Sequence, residues 1–128
     1  MKRRDRRTAW ALTVCILGAM ATQAACNESS TTSGAADAAL GPELIRSYGC
    51  QTCHTIPGVA GADATVGPPL TAFGDRRYIA GEVSNTGPNL IRWIMDPQSI
   101  EPKTVMPDAG VTERDARNIA AYLETLHS

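Results

Sequence analysis

An all-α domain of three to four short helices is what this sequence of 128 residues predicts. Three observations carry that expectation: apolar residues at helical spacing in three segments between 41 and 126, a Gly- and Pro-rich stretch without period from 55 to 75, and no run of sustained strand alternation. Six aromatic residues, one of them Phe, are a thin supply for the core of so small a domain.

The chain opens with a basic region, Lys2, Arg3, Arg4, Arg6 and Arg7, followed by an uncharged stretch from Thr8 to Ala25 that is apolar from Ala9 to Ala21. This is the pattern of a secretory leader, and the apolar part falls short of the roughly 20 residues that span a bilayer. A twin-arginine signal is a poor match, because Thr8-Ala9-Trp10 follows the Arg pairs. Ala24-Ala25-Cys26 resembles the end of a lipoprotein signal, although Gln23 stands where an aliphatic residue is usual. Cys26 is therefore either a lipidated anchor to a membrane surface or a cysteine without a structural role. The expected organisation is a leader over 1–25, a flexible Ser/Thr/Ala/Gly tether over 26–40 and a folded domain over 41–128.

Within the domain, Pro42 and Glu43 mark a helix start, Gly49 marks its end, and Leu44, Ile45 and Tyr48 supply its inner face. Residues 55–75 read as a loop able to wrap a flat partner, and Arg77 to Glu82 is expected to make one helical turn. Pro88 to Met95 places Leu90, Ile91 and Ile94 on one face and stops at Asp96-Pro97. Thr112 to Leu126 gives the clearest helix: Thr112 and Asp115 resemble a capping box, and Ala116, Ile119, Ala120, Leu123 and Leu126 form an apolar stripe.

Cys50-Gln51-Thr52-Cys53-His54 is a complete C-x-x-C-H. Two thiols at this spacing can each add to a vinyl group of a haem while the adjacent imidazole reaches the iron, which is the pattern of covalent haem c attachment. Since Cys15 and Cys26 belong to the leader and its border, only Cys50 and Cys53 serve the domain. From residue 27 onward there are seven basic and twelve acidic side chains, a balance of about −5. Nucleic acid is an unsuitable partner for such a chain, whereas a protein with a basic docking patch suits it.

If His54 takes one axial position of the iron, the other decides between electron carriage and open-site chemistry. Met95, Met106 and His127 are the candidates. Met95 sits in an amphipathic helix, where Met is usually core, and His127 stands near the chain end. Met106 lies in the irregular run Val105-Met106-Pro107-Asp108, from which a loop can lower a thioether onto iron, and Pro107 stiffens the backbone beside it.

The order of short helix, C-x-x-C-H, Gly67-Pro68-Pro69-Leu70, helix, Met106-Pro107 and terminal helix with Tyr122 resembles class I c-type cytochromes over residues 41–128. More narrowly, it is similar to the cytochrome c domain fused to subunit II of bacterial haem-copper oxidases, through Gly41 to Ile45, Gly49 to Ile56, Val66 to Leu70, Asn85 to Ile94 with Asp96 to Gln98, and Ala121 to Leu123. The resemblance implies a monohaem cytochrome c fold with crossed first and last helices, meeting at Gly41 and Tyr122. It makes Cys50 and Cys53 the thioether sites, His54 the proximal ligand, Met106 the distal ligand and Pro68 the acceptor for the second His54 ring nitrogen. Arg77, Tyr78 and Trp93 match positions that commonly face the haem propionates, and Ile45 stands where the family usually has Phe. The implied function is single-electron transfer between redox partners such as a terminal oxidase, a dehydrogenase or a reductase, by an exported, periplasmic monomer that is no enzyme. The alternatives are a haem-based gas sensor or small haem enzyme with an open distal position. A redox dithiol would ordinarily accompany a βαβ pattern, and a Cys/His metal site lacks its fourth ligand.

Overall fold

The computed structural model describes residues 34–128; the predicted leader, Cys26 and the tether up to residue 33 lie outside the described residues. Among the described residues there are three α-helices, α1 (Gly41–Ser47), α2 (Gly87–Met95) and α3 (Glu113–Glu124), and one two-stranded ladder of β1 (Tyr78–Ile79) and β2 (Val83–Ser84). Short 3-10 turns at Ala38–Leu40, Cys50–Thr52, Phe73–Asp75 and Pro97–Ser99 complete the chain. No helix among the described residues is long and apolar enough to cross a membrane.

Each helix starts and stops where its residues dictate. Pro42 sits in the first turn of α1, where its missing N–H costs no bond, and Gly49 leaves the helix with φ 78°, a left-handed conformation open to Gly. α2 follows extended Thr86 and ends at Asp96, which Pro97 holds out of the helical region at φ −146° and ψ 79°. The Thr112 side chain accepts from Asp115 N at 3.2 Å and caps α3. Its expected reciprocal bond is replaced: Asp115 Oδ2 accepts from Tyr48 Oη at 2.7 Å and so ties α3 to α1. That hydrogen bond is the main reason the Asp115 carboxyl titrates below the ordinary range, and the bond to Thr112 adds to it.

α3 is the spine on which the other helices pack. Its stripe of Ala116, Ile119, Ala120 and Leu123 is buried, as are Ile45 of α1 and Leu90 and Ile94 of α2. Complete burial of such an Ile or Leu is worth about 1.5–3 kcal/mol. α1 crosses α3 so closely at Gly41 that a Cβ there would overlap Cβ and Cγ of Tyr122. From the same residue, Tyr122 Oη donates to Pro57 O at 2.5 Å and fastens the loop after the C-x-x-C-H motif to α3.

Two sequence expectations give way here. The helical turn expected over Arg77 to Glu82 is instead a hairpin, pairing Tyr78 with Ser84 and Ile79 with Val83. Ala80 and Gly81 both take positive φ, 53° and 80°, as the central residues of a type I′ turn do, and a helix cannot run through such a pair. The segment before Gly41 is also not all tether. Residues 37–40 pack on α3, where buried Asn118 accepts from Asp37 N at 2.8 Å.

The tail after α3 is fixed to the turn at Phe73–Asp75. Gly74 N donates to Leu126 O at 2.8 Å, His127 Nδ1 lies 2.6 Å from Asp75 Oδ1, and Ser128 donates to Asp75 Oδ2 from both N and Oγ at 2.8 Å. These bonds, led by the one from His127, hold the Asp75 carboxyl down at about 2.

Replacing Gly41 with Ala is expected to cost about 1–3 kcal/mol, through overpacking against Tyr122, in denaturant unfolding of the native protein. The tail contact is complete above about pH 4 and is lost as pH falls through about 2, because the folded carboxyl titrates below its ordinary value of 3.8. The Ser128 amide proton shift, followed by NMR, is expected to report a midpoint near 2 rather than near 3.8.

Candidate haem site

The left-handed Gly49 turns the chain out of α1 directly into the motif. Thr52 N bonds Gly49 O at 3.0 Å, Cys53 N bonds Cys50 O at 3.2 Å and His54 N bonds Cys50 O at 3.1 Å. One helical turn therefore carries Cys50, Cys53 and His54, whose spacing of three and four puts them on a common face. Both thiols are free and half-buried. Burial raises the Cys50 thiol above its ordinary range, with the neighbouring Cys53 adding to the rise and a backbone hydrogen bond opposing it.

Across from the motif, the Gly- and Pro-rich loop is laced to it. Gly67 N donates to Cys53 O at 2.7 Å and Leu70 N donates to Thr55 O at 2.8 Å. Between these anchors, Pro68 O lies 2.8 Å from His54 Nδ1, the contact implied by the sequence resemblance. A carbonyl can only accept, so Nδ1 carries the proton, and in the neutral ring this leaves the lone pair on Nε2, the form in which an imidazole binds metal. Gly67 makes the approach possible: a Cβ there would stand 2.5 Å from His54 Cε1 and 2.8 Å from Nδ1.

His54 opens on a cavity of about 380 Å³. Cys50, Cys53, His54 and Pro68 line it together with apolar residues of the three helices, Ile45 of α1, Leu90 and Ile94 of α2, and Ile119 and Leu123 of α3. Tyr78, Ile79, Trp93 and the segment Thr104 to Pro107 line it as well. Besides the motif itself, Arg76 and Glu101 are the charged residues that line it. Two thiols, an imidazole fixed in its metal-binding tautomer and an apolar cleft form a donor set and shape that fit a covalently attached haem.

Of the three methionine and histidine candidates for a second ligand, Met106 lines this cavity, whereas Met95 and His127 do not. The Met106 backbone is held from both ends: Gln98 Nε2 donates to Met106 O at 2.7 Å, and Met106 N donates to Thr104 Oγ1 at 3.2 Å. Tyr78 and Trp93 line the cavity, and Arg77 is exposed and stands outside it. Its neighbour Arg76 occupies the wall instead, bonded to Pro69 O and lying 5.2 Å over the Phe73 ring centroid. Sequence reasoning gave no role to Arg76, Gln98 or Gly67. The Gly67-Pro68 and Pro97-Gln98 runs were the available signals for the last two.

The sequence profile of the cytochrome c family matches residues 38–127. The chain is 38% identical over 87 residues to cytochrome c oxidase subunit 2 of Alkalihalophilus pseudofirmus, an alignment covering 67% of this chain and 25% of that protein. It is 32% identical over 84 residues to cytochrome c oxidase subunit 2 of Bacillus subtilis, covering 64% and 24% respectively. These matches thus span about a quarter of the length of the curated relatives. Among solved structures, cytochrome c2 from Rhodobacter sphaeroides shares the fold with a TM-score of 0.54 at 21% identity, over 72% of this chain and 97% of that one. With its fold, its family match and its C-x-x-C-H turn beside a fitting cleft, the chain belongs to the cytochrome c family and is an electron-transferring c-type cytochrome with covalently attached haem c.

Proposed function

We propose that this cytochrome carries single electrons on one haem held by thioethers at Cys50 and Cys53 and by axial His54 and Met106. The observation that carries the reading is the placement of Met106, alone among the candidate second ligands, on the cavity that His54 also lines. The haem, when bound, supplies a one-electron ferrous–ferric couple that soft sulfur and burial favour in its ferrous state.

The protein residues define the rest of the task. The His54–Pro68 bond fixes the imidazole tautomer and makes it a stronger donor. Gln98 and Thr104 hold the Met106 backbone, so that the thioether is presented from a tethered loop rather than a free one. With both axial positions taken by protein, no place is left for a substrate, which suits a carrier rather than an enzyme. The apolar lining from α1, α2 and α3 suits the face of a porphyrin, and Tyr78 and Trp93 are proposed as contacts of the haem periphery.

The proposed setting is the outer side of a bacterial membrane. Residues 1–25 would direct export, Cys26 would receive a lipid, and the polar segment after it would tether a monomeric domain. The curated relatives are oxidase subunits, so a terminal oxidase is the redox partner best supported, with a dehydrogenase or a reductase as the alternatives. The balance of about −5 beyond residue 26 suits partners that present basic docking faces.

Replacing Met106 with Ala is expected to abolish the sulfur-to-iron absorption band of the ferric protein and to remove its low-spin character. A spectrum unchanged by the substitution would exclude Met106 as ligand.

A further inference from the structure

We infer that Gln98 is a positioning residue for Met106: its side-chain amide ties the strap over residues 101–110 to the helical frame and so keeps the distal axial position closed to small neutral ligands. The inference rests on the proposed ligation by Met106.

The strap has few means of fastening itself. Pro107 follows Met106 and has no N–H, so no amide pins the backbone at that point. Beyond Glu101 its bonds run inside it. Lys103 N donates to Glu101 Oε1 at 2.8 Å, Thr104 N to Glu101 O at 3.0 Å, Met106 N to Thr104 Oγ1 at 3.2 Å and Gly110 N to Asp108 Oδ1 at 2.8 Å. Each of these joins near neighbours in sequence and travels with the strap. Within residues 102–110, the protein hydrogen bond that reaches out of the strap is the one that Gln98 Nε2 donates to Met106 O, 2.7 Å long. Thr104 therefore shapes the strap, whereas Gln98 anchors it.

The anchor stands on a fixed base. Gln98 is the middle residue of the 3-10 turn Pro97–Ser99, which follows α2 directly. Asp96 N donates to Arg92 O at 2.9 Å, Ser99 N donates to Asp96 Oδ1 at 3.1 Å, and Ser99 Oγ donates to Asp96 O at 2.7 Å. Pro97 is buried. The amide is thus carried on an extension of the helix whose Leu90 and Ile94 line the cavity. Gln98 itself is exposed and does not line the cavity, so its replacement removes the bond without leaving a void in the core.

An anchor for Met106 and a plain contribution to stability make different forecasts. A small ligand competing for the distal position binds only the state in which Met106 has swung away, so its apparent affinity follows the population of that state. Losing one net hydrogen bond that exists only in the closed state raises that population about two- to tenfold. A bond serving global stability alone would shift unfolding and leave the ligand affinity where it was.

The test titrates imidazole into the haem-loaded ferric wild type, Gln98→Leu and Gln98→Ala, following the absorption spectrum, with denaturant unfolding measured on the same samples. Neither replacement carries a donor or a charge. The inference expects the apparent dissociation constant of imidazole to fall about two- to tenfold in both variants. An unchanged imidazole affinity in Gln98→Leu would overturn it, whatever happens to the unfolding midpoint. Should Gln98→Leu fail to retain haem, Gln98→Ala decides by the same reading. A wild type that takes up imidazole with no sulfur-to-iron band to lose would instead overturn the ligation by Met106 on which the inference rests.

Discussion

The contact on which the site depends is the hydrogen bond between His54 Nδ1 and Pro68 O, 2.8 Å long. It joins two parts of the chain, a one-turn motif at the end of α1 and an irregular loop rich in Gly and Pro. It also chooses the tautomer, and with that the nitrogen free to bind metal. Gly67 permits the approach by having no Cβ, and the bonds from Gly67 N and Leu70 N keep the loop parallel to the motif. Ordinary backbone chemistry thereby orients the imidazole through a segment with no regular secondary structure of its own.

The helices supply the frame that this contact needs. α1 ends in the motif, so the direction of α1 sets the position of Cys50, Cys53 and His54. That direction is fixed on α3 by the close crossing of Gly41 and Tyr122 and by the bond from Tyr48 to Asp115. Tyr122 acts twice, since its hydroxyl also holds the loop at Pro57. The Met106 segment hangs between α2 and α3 and gains its order from Gln98 and Thr104 rather than from a helix. One rigid wall and one tethered strap are a reasonable division for a site that must keep the same geometry in two oxidation states.

The helices and the motif were legible because their signals are local. Pro42, Pro88 and Thr112 mark starts, Gly49 and Pro97 mark stops, and the apolar stripe of α3 is buried at four of its five positions. The hairpin at Tyr78–Ser84 was not legible, since strands of two residues show no alternation and its turn puts a non-Gly residue, Ala80, at positive φ. The exchange of Arg77 for Arg76 has a related cause. In extended chain, neighbouring side chains point to opposite faces, and Arg76 is extended at φ −75° and ψ 142°. Two consecutive arginines thus give the sequence no means of choosing, and only the fold selects which one meets the cavity. The contact of Asp37 with Asn118 was hidden for another reason, being a bond across 81 residues with a buried polar side chain that reads as surface.

The claim at the centre of this account is that protein fills both axial positions of a covalently held haem. The most direct measurement is a redox titration of the purified native protein by absorption spectroscopy, followed by carbon monoxide addition to the ferrous form. The account predicts a one-electron transition, low-spin spectra in both states and no spectral change with carbon monoxide. A high-spin ferrous spectrum that shifts on carbon monoxide binding would contradict it.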